Sequence, residues 1–335
     1  MGMSVIHQTD LFHHFNDPDD HWDLACQFAL SYAGDITLKN ILLDYPPVPE
    51  YGDPAIAAVQ QLSYITGLSV PVTVGTKAAG ISGIDLSDAA AVGGGVSMLL
   101  RELEASDTPV FIQIVGSCKD VALAGKINPD LFRRKCGGIY LNAGAAWSDQ
   151  ALEYNVALDP DAFDAVFDIP CPIFWAPCFD TTAKMFEGGT YGTFYRFTQG
   201  EILPYVSDAL QKYFAYALGC VMDPRWLSYL ALPKNEGMLR YYCEQVRHMW
   251  CTAGFLHCAG KTVAKDGSIV PNASPVDALF SFEPIEATCG AGRVTWTHTD
   301  RPTNRYIFKI NHIDAYAAAM TKAMKSLLMQ LPECV

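Results

Sequence analysis

Strand-like and helix-like segments alternate through the first half of the chain, and this alternation constrains the fold more than any other feature. Apolar runs at residues 3 to 8, 38 to 43, 109 to 116 and 137 to 144 are each followed by a stretch with helical periodicity. Repeated βα units of this kind favour an α/β fold with an open, mainly parallel, doubly wound sheet. Ligands bind such sheets at the carboxyl ends of the strands.

Polar residues follow three of the predicted strands, at Asp10, Ser117 and Asn142. Because the carboxyl ends of parallel strands lie along one edge of the sheet, we expect these residues at the ligand-binding edge.

The character of the chain changes between about residues 182 and 264, where aromatic side chains are frequent. We predict a helical insertion over the strand carboxyl ends, which is one way in which an α/β enzyme builds the roof of a pocket. Packing in the core is the alternative explanation for most of these aromatic side chains. No repeat or linker interrupts the sequence, so we predict a single domain over residues 1 to 335.

Composition excludes several classes of partner. Of the 335 residues, 23 are Lys or Arg and 36 are Asp or Glu, and the net charge of -13 disfavours binding to nucleic acid or to an anionic membrane surface. The sequence has no long apolar run and no charged leader at its start, so we expect a soluble, cytoplasmic protein. Eleven cysteines without CxxC spacing indicate reduced, mostly buried thiols.

An acidic turn follows the first predicted strand. It contains five aspartates, Asp10, Asp17, Asp19, Asp20 and Asp23. Helix capping explains one or two of them. The remainder repel one another unless they are solvated, protonated or share a cation. Oxygen ligands suit Ca²⁺ or Mg²⁺.

Three histidines in the same segment leave zinc open as an alternative. His13, His14 and His21 lie near the carboxylates in sequence. Zinc is the less favoured ion, since adjacent histidines rarely chelate one ion together and no HxxxH or HxH spacing is present.

Four motifs occur in the order found in one enzyme family. The stretch VIHQTD followed by NDPDDHWDLACQFAL resembles the Asp-rich amino-terminal signature of the inosine-uridine preferring nucleoside hydrolases. The later similar segments are PVFIQIVGSCKDVALAGKINPDLFRRKCGGIYLNAG, EYNVALDPDAFDAVFDIPCPIFWAP and SPVDALFSFEP. The similarity covers about residues 3 to 180 and 265 to 330, and it implies the nucleoside hydrolase-like sheet.

The resemblance implies a metal-dependent glycosidase. In that family Ca²⁺ binds the attacking water and the ribose hydroxyls, an aspartate takes the proton of the water, and the N-glycosidic bond of a ribonucleoside is hydrolysed to base and ribose. For this chain it implies a ribonucleoside or related N-riboside as substrate. It also implies a homodimer or homotetramer.

Carried over residue by residue, the resemblance implies a metal shell and a base. The metal ligands would be Asp10, Asp17, Asp20, the carbonyl of Lys119, and Asp277. Asp10 and Asp17 compete for the role of catalytic base.

The same comparison implies a set of residues that bind the substrate. Asp19, Glu153 and Asn155 match contacts to the sugar hydroxyls, and Asn142 matches a position against the ribose or base. Asp23 lies one turn further into the predicted helix, where we expect a solvated side chain.

The main departure from the family is Val276, at a position where many purine-cleaving members have a histidine that protonates the departing base. Valine cannot donate a proton. Activation of the leaving base would then come from a tyrosine or histidine of the aromatic segment, from stacking on Trp or Tyr, or be absent. Candidates by position are Tyr191, Tyr195, Arg196, His248 and Trp250.

Two alternative functions are compatible with the sequence. One is a non-catalytic homologue that binds a nucleoside or sugar, and the other is a zinc-dependent amide or ester hydrolase that uses the histidine cluster.

Overall fold

A computed structural model describes residues 2 to 13, 18 to 48, 52 to 147, 151 to 274 and 276 to 333. Asp17 and His14 therefore lie outside the described residues.

Seventeen strands are present in the described part of the chain. They are β1 (Met3–Thr9), β2 (Phe12–His13), β3 (Ile36–Leu43), β4 (Asp53–Pro54), β5 (Val72–Val74), β6 (Val110–Ile114), β7 (Cys136–Leu141), β8 (Ala145–Trp147), β9 (Ile173–Trp175), β10 (Phe179–Thr181), β11 (Tyr195–Thr198), β12 (Val246–Met249), β13 (Lys261–Val263), β14 (Ile269–Pro271), β15 (Phe280–Gly290), β16 (Arg293–His298) and β17 (Arg305–Ile310).

The same ranges contain thirteen α-helices. They are α1 (Asp19–Tyr32), α2 (Ile56–Thr66), α3 (Ala89–Val92), α4 (Gly94–Ala105), α5 (Lys119–Ile127), α6 (Pro129–Lys135), α7 (Tyr154–Leu158), α8 (Pro160–Phe167), α9 (Asp208–Leu218), α10 (Trp226–Tyr229), α11 (Glu236–Cys243), α12 (Thr252–Cys258) and α13 (Ile313–Leu328). Among the helices of the described residues, none combines the length and apolar composition needed to cross a membrane.

Nine strands form the central sheet, in the order β16-β15-β17-β9-β7-β6-β1-β3-β5. The pairs from β17 to β5 are parallel, while β15 is antiparallel to both of its neighbours. The predicted α/β class with a mainly parallel sheet is thus confirmed.

Apolar side chains pack on both faces of this sheet. Along the central strand β1, Val5 belongs to the core that includes side chains of α1, α2 and α13, and Ile6 belongs to the core that includes side chains of α4, α5 and α8. Successive residues of a strand point to opposite faces, so β1 separates the two cores. Helices on both faces are what the alternating sequence predicts for a doubly wound sheet.

Helix α1 is enclosed on almost every side. All residues from Asp19 to Leu30 are buried, because α2, α12, α13 and β3 pack around the helix. The expectation of a solvated Asp23 is wrong, since this side chain is 0% exposed.

The segment from 182 to 264 contains helices and a strand pair. It includes α9 to α12, and β11 pairs in antiparallel fashion with β12. Many of its aromatic side chains, such as Tyr195, Tyr213 and Phe214, are buried in the core. The ten cysteines among the described residues are all free thiols, as the sequence predicts.

Asp120, in the first turn of α5, provides a test of this packing. Both oxygens of its buried carboxyl accept a hydrogen bond from the N–H of Thr76, at 3.1 Å each, and burial raises its pKa from 3.8 to about 6. The folded form then holds a proton that the unfolded chain releases, so this group makes the free energy of unfolding fall as the pH rises from about 4 to about 6.

We expect Asp120→Asn to remove this dependence while an amide oxygen still accepts from Thr76. Relative to the variant, the wild-type protein should lose about 1–3 kcal/mol of stability over that pH range. Urea unfolding of both proteins at several pH values measures the difference, and a difference that does not change with pH contradicts the assignment.

Candidate active site

Loop residues that follow the parallel strands are joined directly at the carboxyl edge of the sheet. The N–H of Val115 donates to Gln8 at 3.0 Å, the N–H of Asn142 donates to Ile114 at 2.9 Å, and the N–H of Ala176 donates to Leu141 at 2.8 Å. The ends of β1, β6, β7 and β9 therefore lie side by side.

A cavity of about 340 Å³ lies at this edge. Six residues that the resemblance implies as metal ligands or substrate contacts line it together: Asp10, Asp19, Asp20, Asn142, Glu153 and Asn155. Three carboxylates from the acidic turn thus share one cavity with the polar side chains of the EYN segment. The volume is within the range of roughly 300–1,000 Å³ that small-molecule sites occupy.

Asp10 is held close to the neighbouring strand. A Cβ added to Gly116 would lie 2.6 Å from the backbone nitrogen of Asp10 and 2.5 Å from Oδ2 of Asp44. Only glycine leaves room for this approach of the β6 loop. Asp44 itself accepts from the N–H of Ser117 at 2.6 Å, and burial raises its pKa to about 7.

Lys119 lies beside Asp10 but outside the main cavity. The two residues line a smaller cavity together with Asp44 and Ser117, and the Lys119 ammonium donates to the carbonyl of Ala78 at 3.0 Å. The role of its carbonyl as a metal ligand stays a prediction.

The first turn of α1 presents the other two carboxylates. The hydroxyl of Thr9 donates to Oδ1 of Asp20 at 2.7 Å, which ties the helix to the end of β1. Negative charge at a helix amino terminus is stabilised by the helix dipole.

Glu153 is firmly held by backbone groups. Its carboxylate accepts from the N–H groups of Gly144 at 2.8 Å, Asn155 at 3.0 Å and Val156 at 3.4 Å, so it caps α7. Burial raises its pKa, and these hydrogen bonds oppose the rise. The side chain has a structural role in addition to its place in the cavity.

Two amides line the cavity. Asn142 donates through Nδ2 to the carbonyl of Ala176 at 2.7 Å, and Asn155 donates through Nδ2 to the carbonyl of Val115 at 3.1 Å. The buried Oδ1 atoms of both amides accept no hydrogen bond from any described residue. Buried acceptors without a partner are uncommon in folded proteins, so both positions are notable.

One group of side chains in the described ranges has the spacing of a metal site. It consists of Asp19, Asp23 and Cys251, whose ligand atoms all lie within 4.8 Å of one another. Burial and the two nearby carboxylates raise the pKa of the Cys251 thiol, which also forms a hydrogen bond with Asp23. Asp19 and Cys251 line the cavity.

Sequence reasoning missed Cys251. The signal that would have indicated it is the change at WCTAGFL, where a short strand ends and an apolar helix begins. Cys251 lies at this junction between α12 and β12, which pairs with β11 outside the central sheet.

Asp277, which the resemblance implies as a metal ligand, lies apart from the cavity in this structure. Its side chain is 70% exposed, it does not line the cavity, and its Oδ1 lies 2.6 Å from Nε2 of His312. The neighbouring Val276 is also exposed. The resemblance of the VDAL stretch to the family motif therefore does not extend to position in the fold.

The two described histidines of the proposed cluster have separate partners. Nε2 of His13 lies 2.8 Å from the carbonyl oxygen of Val221, and Nδ1 of His21 lies 3.1 Å from the hydroxyl of Tyr213. Burial lowers the pKa of His21 to about 3, so this ring is neutral. Neither histidine belongs to the group with metal-site spacing.

Trp250 lines the cavity, unlike the other four candidates for activating the leaving base. Tyr195 is buried and bonded to Thr252, Tyr191 is bonded to His298, and Arg196 is exposed. His248 contacts the rings of Phe186 and Phe194, behind the cavity wall.

An aromatic wall completes the cavity. Trp250 packs at right angles to Phe179, with 6.0 Å between ring centroids, and Phe186 lies 6.4 Å from Trp250. Phe186 is 46% exposed, as is Met185 beside it. Flat apolar surfaces of this kind accommodate a planar ring.

Comparison of the sequence with protein-family models and with curated proteins finds no match. Comparison of the structure with solved structures does find matches. A plant nucleoside hydrolase has a TM-score of 0.60 at 14% identity, and the alignment covers 98% of this chain and 99% of that one. An inosine-guanosine nucleoside hydrolase has a TM-score of 0.57 at 15% identity, with 98% and 99% covered.

A third similar structure is the type III effector protein XopQ complexed with adenosine diphosphate ribose. Its TM-score is 0.54 at 12% identity, and the alignment covers 98% of this chain and 95% of that one. Near-complete coverage of both chains at low identity indicates a common architecture and distant sequences. The chain has the nucleoside hydrolase fold, which confirms at the level of the fold the resemblance identified in its sequence.

Proposed function

We propose that the protein hydrolyses the N-glycosidic bond of a ribonucleoside or related N-riboside, with base and ribose as products. The observation that carries this proposal is the cavity, which combines four carboxylates, two amide side chains and an aromatic wall. Its position at the strand carboxyl ends and the nucleoside hydrolases among the similar structures support it.

The polar part of the cavity suits a sugar. Asn142, Asn155 and Glu153 line it, and the Glu153 carboxylate has lone pairs beyond its backbone hydrogen bonds. The hydroxyl groups of a sugar are suitable donors to carboxylates of this kind.

The carboxylates supply the chemistry at the anomeric carbon. Asp10, or Asp17 as the competing candidate, takes the proton of an attacking water. As the C–N bond breaks, positive charge develops on the sugar ring, and the negative oxygens of Asp19 and Asp20 stabilise it.

Departure of the base depends on stacking. The bond electrons leave with the base, and among the described residues that line the cavity there is no histidine, lysine or arginine to protonate it. Trp250, Phe179 and Phe186 instead hold a planar base in an apolar environment. We therefore expect a preference for ribosides whose bases leave readily without protonation by the enzyme.

The calcium expected from the resemblance does not fit the whole cavity. Carboxylates such as Asp10 and Asp20 are suitable ligands for a hard cation, whereas the thiol of Cys251 is not.

A nucleoside-binding protein without hydrolytic activity is the second candidate. The lack of a histidine among the described lining residues favours it, and one similar structure holds adenosine diphosphate ribose. Assays of binding and of product release on the same preparation distinguish it from the hydrolase.

Release of reducing sugar from a panel of purine and pyrimidine ribonucleosides tests the hydrolase. We expect activity in the wild-type protein and a loss of about 10²–10⁴-fold in Asp10→Asn, because the amide cannot accept the proton of the water.

Asp277→Asn is the matched control for this substitution. It removes the same charge from an exposed site outside the cavity, so the rate should stay at the wild-type level. Equal losses in both variants contradict the assignment of Asp10, and binding of a riboside without any sugar release supports the second candidate.

A second prediction concerns the aromatic wall. Trp250→Ala should raise KM by about 5- to 100-fold, since stacking of a base on an aromatic ring contributes about 1–3 kcal/mol. If the indole binds the ground state and transition state equally, kcat should change little.

Trp147→Ala serves as the control, because this tryptophan is half exposed, stacks on Trp296 and does not line the cavity. A fall in kcat with an unchanged KM in Trp250→Ala contradicts a stacking role.

A further inference from the structure

We propose that Asp19, Asp23 and Cys251 bind a transition-metal dication of the zinc class, in place of the calcium ion that the sequence resemblance implies. The role of the ion rests on the proposed function, since the ion would lie at the same cavity. Binding of the metal can be measured without any substrate.

Geometry is the first support. Asp19 and Asp23 are four residues apart on α1 and so lie on one face of the helix. Cys251 lies directly before α12, which packs against α1. The three ligand atoms lie within 4.8 Å of one another, a spacing that one ion with bonds of about 2.0–2.3 Å can bridge.

The chemistry of the donors selects the ion. Calcium takes 6–8 oxygen ligands, and a thiolate is a poor ligand for it. Zinc and similar ions accept a mixed set of sulfur and carboxylate oxygen. Three protein ligands with a fourth position open to water are typical of catalytic zinc sites.

Asn142 provides a second, independent observation. Its side chain is more than nine-tenths buried, and its Oδ1 accepts no hydrogen bond from any described residue. Asn142 and Cys251 line the main cavity together and also a small adjoining one. An ion at this cavity would carry a bound water, which is a suitable donor for a buried amide oxygen that has no partner among the described residues.

Cobalt(II) is the probe for the test. The full-length protein is stripped with a chelator and titrated with Co²⁺ alone, and the near-ultraviolet charge-transfer band between thiolate and cobalt is recorded. We expect this band in the wild-type protein. Zn²⁺ should displace the cobalt, and a large excess of Ca²⁺ should not.

Substitutions at two cysteines show whether the signal is specific. Cys251→Ser should lose the band, and Cys178→Ser should keep it, because Cys178 is a buried thiol of the same cavity that lies outside the cluster. In Cys251→Asp, affinity for Zn²⁺ should fall by more than about 100-fold while affinity for Ca²⁺ rises, since loss of even an outer-shell partner costs about 10–100-fold. Absence of the band, its persistence in Cys251→Ser, or displacement of cobalt by Ca²⁺ overturns the proposal.

X-ray absorption of the zinc-loaded wild-type protein keeps the test independent of whether the variants fold. We expect one sulfur neighbour at about 2.3 Å among oxygen neighbours, and a shell of oxygen alone overturns the proposal. The proposed function has its own test. If zinc binds and no sugar is released, the hydrolase is contradicted and the metal site stands. If Ca²⁺ alone restores the release of sugar, the hydrolase stands and the zinc site is contradicted.

Discussion

Burial of the acidic amino-terminal part of α1 is the constraint on which the rest of the site depends. Asp19, Asp20 and Asp23 are all nearly inaccessible to water, and buried carboxylates are costly unless they are hydrogen-bonded or paired with a cation. Thr9 provides a hydrogen bond to one of them and Cys251 to another. Burial of three carboxylates lowers the stability of the fold, and features that cost stability in this way occur at functional sites.

The pattern of the sequence predicts the class of the sheet and its early strands. Strand β1 covers the predicted residues 3 to 8, and β6 lies within the predicted run from 109 to 116. These elements follow from local periodicity, which their burial on the sheet reinforces. Strand β15 was not predicted, because Pro284 interrupts its alternation, and proline argues against a strand inside a sheet. Its pairing with β16 and β17 is a tertiary effect that no local pattern contains.

The site was predictable where its residues follow the early strands. Asp10 and Asn142 come directly after β1 and β7, so the topology alone brings them to one edge. Asp277 does not lie at this edge, and its motif could not indicate this, because a short motif of common residue types carries no information on its place in the fold. The expectation of a solvated Asp23 is wrong because α12 and α13, which pack against α1, lie more than 200 residues further along the chain.

The junction between β12 and α12 explains how the cavity departs from the sequence expectation. Trp250 and Cys251 are adjacent there, so one turn of backbone supplies both the aromatic wall and the soft ligand. A carboxylate at position 251 would add another negative charge beside Asp19 and Asp23, and the three would repel one another whenever no cation is bound. The thiol of Cys251 is neutral when burial raises its pKa, so the folded protein tolerates the cation-free state better than an all-carboxylate site would. Cysteine at this position therefore changes two properties together, since it shifts the preferred ion from calcium towards zinc and it reduces the dependence of folding on that ion.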